Sequence, residues 1–185
     1  MMKQRTLILL IWCMMAIPAL AQSNIFSTNK GGVTFFSSAP LEDIEAKNNK
    51  AISLINTGTN EIAVRVPIKQ FEFRNRLMQE HFNENYMESE KYPHATFKGK
   101  FNERIDFQSP GTYDVSATGT LNIHGVSQKR TLKGKLTIDD SGMNLITNFD
   151  VLLADHRIKV PSIVFNKIAE KIAVTTAFSY SRQSK

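Results

Sequence analysis

Four histidines, His81, His94, His124 and His156, are the side chains best suited to acid–base or metal chemistry, and their spacing supports neither. No two stand as His-x-His or His-x-x-x-His, the separations that turn two imidazoles toward one ion on a strand or a helix. Glu80, His81 and Glu84 fall within about one helical turn, too small a ligand set for a metal centre. An amphipathic helix face is the simpler account of them. Serine chemistry has no better footing: the chain has no Gly-x-Ser-x-Gly elbow, and Ser37, Ser38 and Ser162 have no visible base partner. The paired carboxylates Glu42-Asp43 and Asp139-Asp140 lie in sequence that reads as solvated turns. These patterns predict no catalytic residue, no metal site and no cofactor. Triads are assembled by geometry, however, so a pocket in which His81 or His94 bonds a carboxylate would point to hydrolysis or isomerisation.

Charge narrows the partners. The formal net charge is +6, and Lys129, Arg130, Lys133 and Lys135 make one stretch basic. Lys133 and Lys135 point opposite to Leu132 and Leu136, as on a strand with one solvated face. In a functional version that face would touch an anionic envelope surface. Lys3 and Arg5 precede an apolar run from Leu7 to Ile17, then Pro18 and the small-x-small sequence Ala19-Leu20-Ala21. This predicts a secretory signal peptide over residues 1–21. The run falls short of the roughly 20 residues of a membrane span. The domain then occupies residues 22–185, exported to a periplasm or beyond the cell, where nucleic acid is not an expected partner. The single cysteine, Cys13, falls within the signal, so the exported domain has no disulfide and no thiol nucleophile.

Period-2 alternation dominates the domain. Tyr113, Val115, Ala117, Gly119, Leu121 and Ile123 share one face against Asp114, Ser116, Thr118, Thr120 and Asn122. Leu132 to Ile138, Ile62 to Ile68 and Ile172 to Tyr180 repeat the pattern. Weaker strands are predicted at Ile25–Thr28, Val33–Ser38, Ile52–Ile55, Thr96–Phe101 and Leu145–Leu153. Asn29-Lys30-Gly31-Gly32, Thr57 to Asn60, Ser109-Pro110-Gly111 and Asp139 to Gly142 read as turns between them, and Lys47 to Lys50 as a polar loop. Pro67 cannot donate a ladder hydrogen bond, so its strand ends there or lies at an edge. One helix of two or three turns is predicted over Asn75–Tyr86, capped by Asn75, with Leu77, Met78, His81, Phe82 and Tyr86 near one face. A shorter helical turn is predicted near Phe165–Ala169. The sum is an all-β protein: an antiparallel barrel of about eight strands with one short helical insert.

Three passages carry a resemblance to a known family: Val64 to Phe71, Tyr86 to Phe97 with its Lys91-Tyr92-Pro93, and Gly119 to Val126 followed by Lys129-Arg130-Thr131-Leu132. The chain resembles the YceI-like family of polyisoprenoid-binding proteins, loosely over Ile25 to Tyr180. The resemblance implies a lipocalin-like barrel and an apolar interior that holds a polyisoprenoid, an isoprenoid quinone or a fatty-acyl lipid without catalysis. Alternation and helix phase then nominate Phe71, Phe73, Leu77, Met78, Phe82, Phe97, Leu121, Ile123 and Phe149 as wall residues. Arg76, His81 and Tyr86 are nominated for the mouth. The competing readings are an envelope interaction module with a filled core and a hydrolase on the same barrel. An apolar cavity without convergent polar groups favours the binding protein. The sequence leaves the oligomeric state open.

Overall fold

The computed structural model describes residues 24–160 and 168–182. The predicted signal peptide lies outside them. Of the turn predicted near Phe165–Ala169 only Ile168 and Ala169 are described, and neither is helical. Strands β1 (Ile25–Ser38), β2 (Asp43–Asn56), β3 (Glu61–Pro67), β5 (His94–Phe101), β6 (Gly111–Ile123), β7 (Val126–Asp139), β8 (Gly142–Leu152) and β9 (Lys171–Arg182) run antiparallel, each paired with its neighbour. Pairing of β9 with β1 and of β1 with β2 closes the sheet into an eight-stranded barrel. Closure leaves no edge along these strands to pair with another chain. A two-residue strand, β4 (Glu72–Phe73), is appended to β2. The connection from β3 to β5 carries helix α1 (Arg76–His81), which continues as a π-helical turn over Phe82–Tyr86.

The alternating residues face as their phase requires. Val115, Ala117 and Leu121 of β6 are buried, and Thr112, Asp114 and Thr120 are exposed. Pro67 ends β3, as its missing N–H demands. The short turns also follow their residues. Ile123 pairs with Val126, so His124 and Gly125 alone reverse the chain, with φ of 52° and 73°. Positive φ at both positions is the turn whose twist matches a hairpin.

Two predicted breaks are instead interior to strands. Asn29 to Gly32 lies within β1 and Lys47 to Lys50 within β2, and the two stretches face each other. The register shifts between Thr28 and Gly31 and shifts back between Gly31 and Val33, which places one extra residue in each strand. Each bulge flips the alternation, so that Phe26 and Val33 both face inward, as do Asn48 and Ala51. Their polar character is used in place: Asn29, Lys30, Asn49 and Lys50 are exposed. Asn48, turned inward and fully buried, donates from Nδ2 to the Pro67 carbonyl at 2.8 Å and accepts from the Lys50 N–H at 2.8 Å.

The half of the barrel near the β2–β3 and β7–β8 turns is filled. Phe26, Ile55, Leu136, Ile138, Met143 and Tyr180 are buried there. The Tyr180 hydroxyl lies 2.7 Å from the Ser53 oxygen, which itself donates to the Ala63 carbonyl at 3.2 Å. Burial raises the Tyr180 phenol well above its ordinary pKa, so it stays neutral. Two glycines permit close approach of strands, Gly31 next to the plug and Gly119 farther up, between the cavity-lining Ala117 and Leu121. A Cβ on Gly31 would lie 2.3 Å from the Phe178 ring, and one on Gly119 would lie 2.2 Å from the Lys98 carbonyl oxygen. Flexible ring atoms can move, but a paired backbone cannot. Gly119→Ala is therefore expected to cost about 1–3 kcal/mol, seen as a lower urea midpoint at an unchanged slope. An unaltered midpoint would mean that β5 and β6 separate freely there.

Candidate functional site

Above the plug the barrel is hollow. A cavity of about 500 Å³ runs from Phe178, Leu145 and Val115 toward the end that carries the helical insert. Its volume falls within the roughly 300–1,000 Å³ of small-molecule sites. The walls are inward positions of the alternating strands: Ile62, Val64 and Val66 of β3, Phe97 of β5, Leu121 and Ile123 of β6, Phe149 and Val151 of β8. Leu77 and His81 of the insert line the same cavity and remain exposed, so the cavity reaches solvent beside α1.

The insert is held over the barrel by aromatic packing. Phe35 of β1 lies 5.3 Å from Phe71, 5.7 Å from Phe73 and 5.5 Å from Phe82, centroid to centroid. Phe73 and Phe82 stand 4.9 Å apart. Phe35 stacks on Phe82 and the other contacts are tilted or edge-on, arrangements that suit aromatic quadrupoles. Asn75 caps α1 through its Oδ1, which accepts from the Leu77 N–H at 2.8 Å. Beyond His81 the winding loosens. The Asn83 side chain donates to the Gln79 carbonyl at 2.9 Å, and the Met87 N–H reaches the Phe82 carbonyl at 2.8 Å. The wider turn sets Phe82, Tyr86 and Met87 against the same cavity. Burial raises the Tyr86 phenol pKa, keeping the hydroxyl protonated.

The far end of the insert is pinned to the β6–β7 hairpin. His124 Nε2 lies 2.7 Å from Glu88 Oε2, and its Nδ1 lies 3.2 Å from the His156 carbonyl. Tyr92 meets the His124 ring edge-on at 4.5 Å and covers Gly125, where a Cβ would come within 2.5 Å of the Tyr92 ring. Just after β8, a short 3₁₀ turn (Ala154–His156) is tied to the same hairpin: Gln128 donates to the Asp155 carbonyl at 2.8 Å. His156 is fully buried with Nδ1 3.2 Å from the Val126 carbonyl. A carbonyl only accepts, so Nδ1 carries the proton, and among the described residues the buried Nε2 meets no hydrogen-bond partner.

Eleven of the twelve nominated residues line the cavity: Phe71, Phe73, Leu77, Met78, His81, Phe82, Tyr86, Phe97, Leu121, Ile123 and Phe149. Arg76 does not, which corrects its placement at the mouth. Its side chain is 92% exposed and its Nε pairs with Glu80 Oε1 at 2.9 Å along the outer face of α1. One residue before Leu77, it has the wrong helical phase. Phe35, Ile44, Ala117, Leu132 and Val174 also line the cavity and were not nominated. Inward phase marked Ala117, Leu132 and Val174. Phe35 and Ile44 lie beyond the bulges and needed the register. Polar groups are sparse on the wall. Among the described residues neither His81 nor His94 bonds a carboxylate, and no group of three acidic, histidine or cysteine side chains could hold a metal. The histidine that does bond a carboxylate, His124, lies outside the cavity.

Known proteins share this architecture. A family model described as the YceI-like domain matches residues 20–180. No curated protein matches the sequence. A polyisoprenoid-binding domain from Saccharophagus degradans, implicated in plant cell wall breakdown, superposes with a TM-score of 0.74 at 13% identity, covering 88% of this chain and 99% of that one. BcnA of Burkholderia cenocepacia gives 0.67 at 12% identity over 80% and 94%. The YceI protein of Campylobacter jejuni gives 0.57 at 18% identity over 74% and 81%.

His156 makes stability depend on pH. Burial lowers its pKa below the usual histidine value, against the pull of the Val126 and Ile123 carbonyls and the Asp155 charge. Below about pH 6.5 the unfolded chain takes up a proton that the folded state resists, so stability falls as pH drops through that value. The native melting temperature should decline from about pH 7.5 to about pH 5.5, the span around the unfolded histidine pKa. His156→Asn, which keeps an N–H for Val126, should decline less. Equal slopes in the two proteins would contradict this.

Proposed function

The chain belongs to the YceI-like family, and from that premise we propose that it is an exported carrier that shields one long apolar ligand from water. The observation that carries this reading is the cavity of about 500 Å³, walled by Leu, Ile, Val and Phe and open beside α1. An isoprenoid or acyl tail entering it would gain about 0.8 kcal/mol for each CH₂ buried, enough for tight binding without polar contacts. The polyisoprenoid-binding domain of the Saccharophagus protein supports an isoprenoid as the occupant. Polyprenols, isoprenoid quinones and fatty-acyl lipids all match the wall. His81 and Tyr86 would meet the end of the ligand nearest the opening, while Phe71, Phe73 and Phe82 grip it from above.

Binding without turnover is the proposed activity. Among the described residues His81 stands on the wall without a hydrogen-bonded carboxylate, which supports binding over acid–base turnover. The hollow upper half argues against a module whose core is simply filled. Export to a periplasm is the proposed setting, since a carrier of this kind serves where apolar molecules cross an aqueous gap.

The test is mass spectrometry of an organic extract from the protein purified natively from an exporting host. A prenyl or acyl species at about one per chain is the expected result. Ala117→Trp, which projects an indole into the cavity from β6, should empty the extract by at least about tenfold while the protein still melts cooperatively. An empty native extract, with no thermal shift on adding long-chain quinones, polyprenols or fatty acids, would overturn the reading.

A further inference from the structure

One cross-strand pair on the cavity wall does not match its neighbours. Inward positions of β8 and β9 face each other as Leu145 with Phe178, Thr147 with Thr176, and Phe149 with Val174. All six residues line the cavity. Carbon lies above and below, yet the middle pair presents two hydroxyls 2.8 Å apart. The orientation of Thr147 has a local cause. Its Cγ2 lies 2.8 Å from where a Cβ would stand on Gly134, the residue paired with it on β7. The missing side chain of Gly134 takes the methyl, and the hydroxyl turns toward Thr176.

Counting protons shows what the pair lacks. Each hydroxyl offers one O–H and two acceptor positions. The bond between them uses one hydrogen, and the second hydroxyl keeps its own. Among the described residues neither threonine has another hydrogen-bond partner. Thr176 is only 8% exposed and Thr147 is half-buried, so the space available to that hydrogen is the cavity. The Tyr180 and Ser53 hydroxyls in the plug differ, because the chain closes with the Ala63 carbonyl as final acceptor. A spare donor between apolar neighbours on β8 and β9 disfavours a pure hydrocarbon beside it and favours an oxygen that accepts.

We propose that Thr147 and Thr176 form a hydrogen-bonding subsite inside the barrel that takes an oxygen acceptor, such as a carbonyl, carried by the apolar ligand. This deepens the carrier reading and rests on it. It sets the ligand class as an oxygenated chain, and it sets the depth, with the oxygen at mid-barrel and not at the opening.

The experiment uses the full exported chain and two probes of equal length, a long-chain methyl ketone and the corresponding alkane. Each displaces the fluorescent reporter N-phenyl-1-naphthylamine from the native protein, from Thr147→Val/Thr176→Val and from Thr147→Ser/Thr176→Ser. Valine keeps the shape and removes the hydroxyls, and serine keeps the hydroxyls. The ketone-to-alkane affinity ratio should fall about 2- to 10-fold in the valine protein, the worth of one hydrogen bond. It should hold in the serine protein, and alkane affinity should not fall with valine. An unchanged ratio in the valine protein, with the alkane still binding, overturns the subsite and leaves the carrier reading standing. It would mean that the spare hydrogen is met by water alone. Failure of both probes to displace the reporter from the native protein sinks both.

Discussion

An eight-stranded barrel has an interior only about wide enough for its own side chains, so each layer is either packed or hollow according to what the strands point inward. The structure depends on that constraint. In the lower half Phe26, Ile55, Leu136, Met143 and Tyr180 fill the bore. In the upper half Ala117 and Gly134 face inward, and a cavity results. The two facing bulges in β1 and β2 make the division workable, because they reverse the alternation of both strands at the level where packing gives way to space. Without the reversal, either Phe26 and Ile55 or Phe35 and Ile44 would point into solvent.

The insert answers the problem that a hollow end creates. An open barrel mouth lined by leucine and phenylalanine would expose apolar surface to water. The segment between β3 and β5 covers it from two fixed ends. At one end Phe71, Phe73 and Phe82 pack on Phe35. At the other, His124 and Gly125 hold Glu88 and Tyr92. The π-helical stretch between them is shaped by one side chain, Asn83, bonded back to the Gln79 carbonyl. Wide turns of this kind recur at functional sites, and here the turn brings Tyr86 and Met87 round to the wall.

Much of this was legible in the sequence, and the failures share a cause. Alternation located the strands from Ile62, Tyr113, Leu132 and Ile172 onward because one face of each is buried. Helix phase placed Leu77, Met78, His81 and Phe82 on a common side, but it was read too broadly at Arg76, which lies one position off that side and points outward. Asn29 to Gly32 and Lys47 to Lys50 look like turns because glycine and asparagine suit turns and bulges equally. Only the facing strand distinguishes them. Thr147 and Thr176 lie 29 residues apart and meet through register alone. The π winding depends on what the Asn83 amide can reach, which no periodicity records.

The division into a packed half and a hollow half has a consequence for how such a chain can change over time. Substitutions in the plug act on folding, because Leu136, Ile55 and Tyr180 have no room to give. Substitutions of wall side chains that face the hollow leave those plug contacts alone and chiefly alter the shape offered to a guest. Selection can then retune the guest while the fold persists, a separation of robustness from innovation within a single bore. The cavity wall becomes the evolvable surface of the molecule, and the plug its inherited constant.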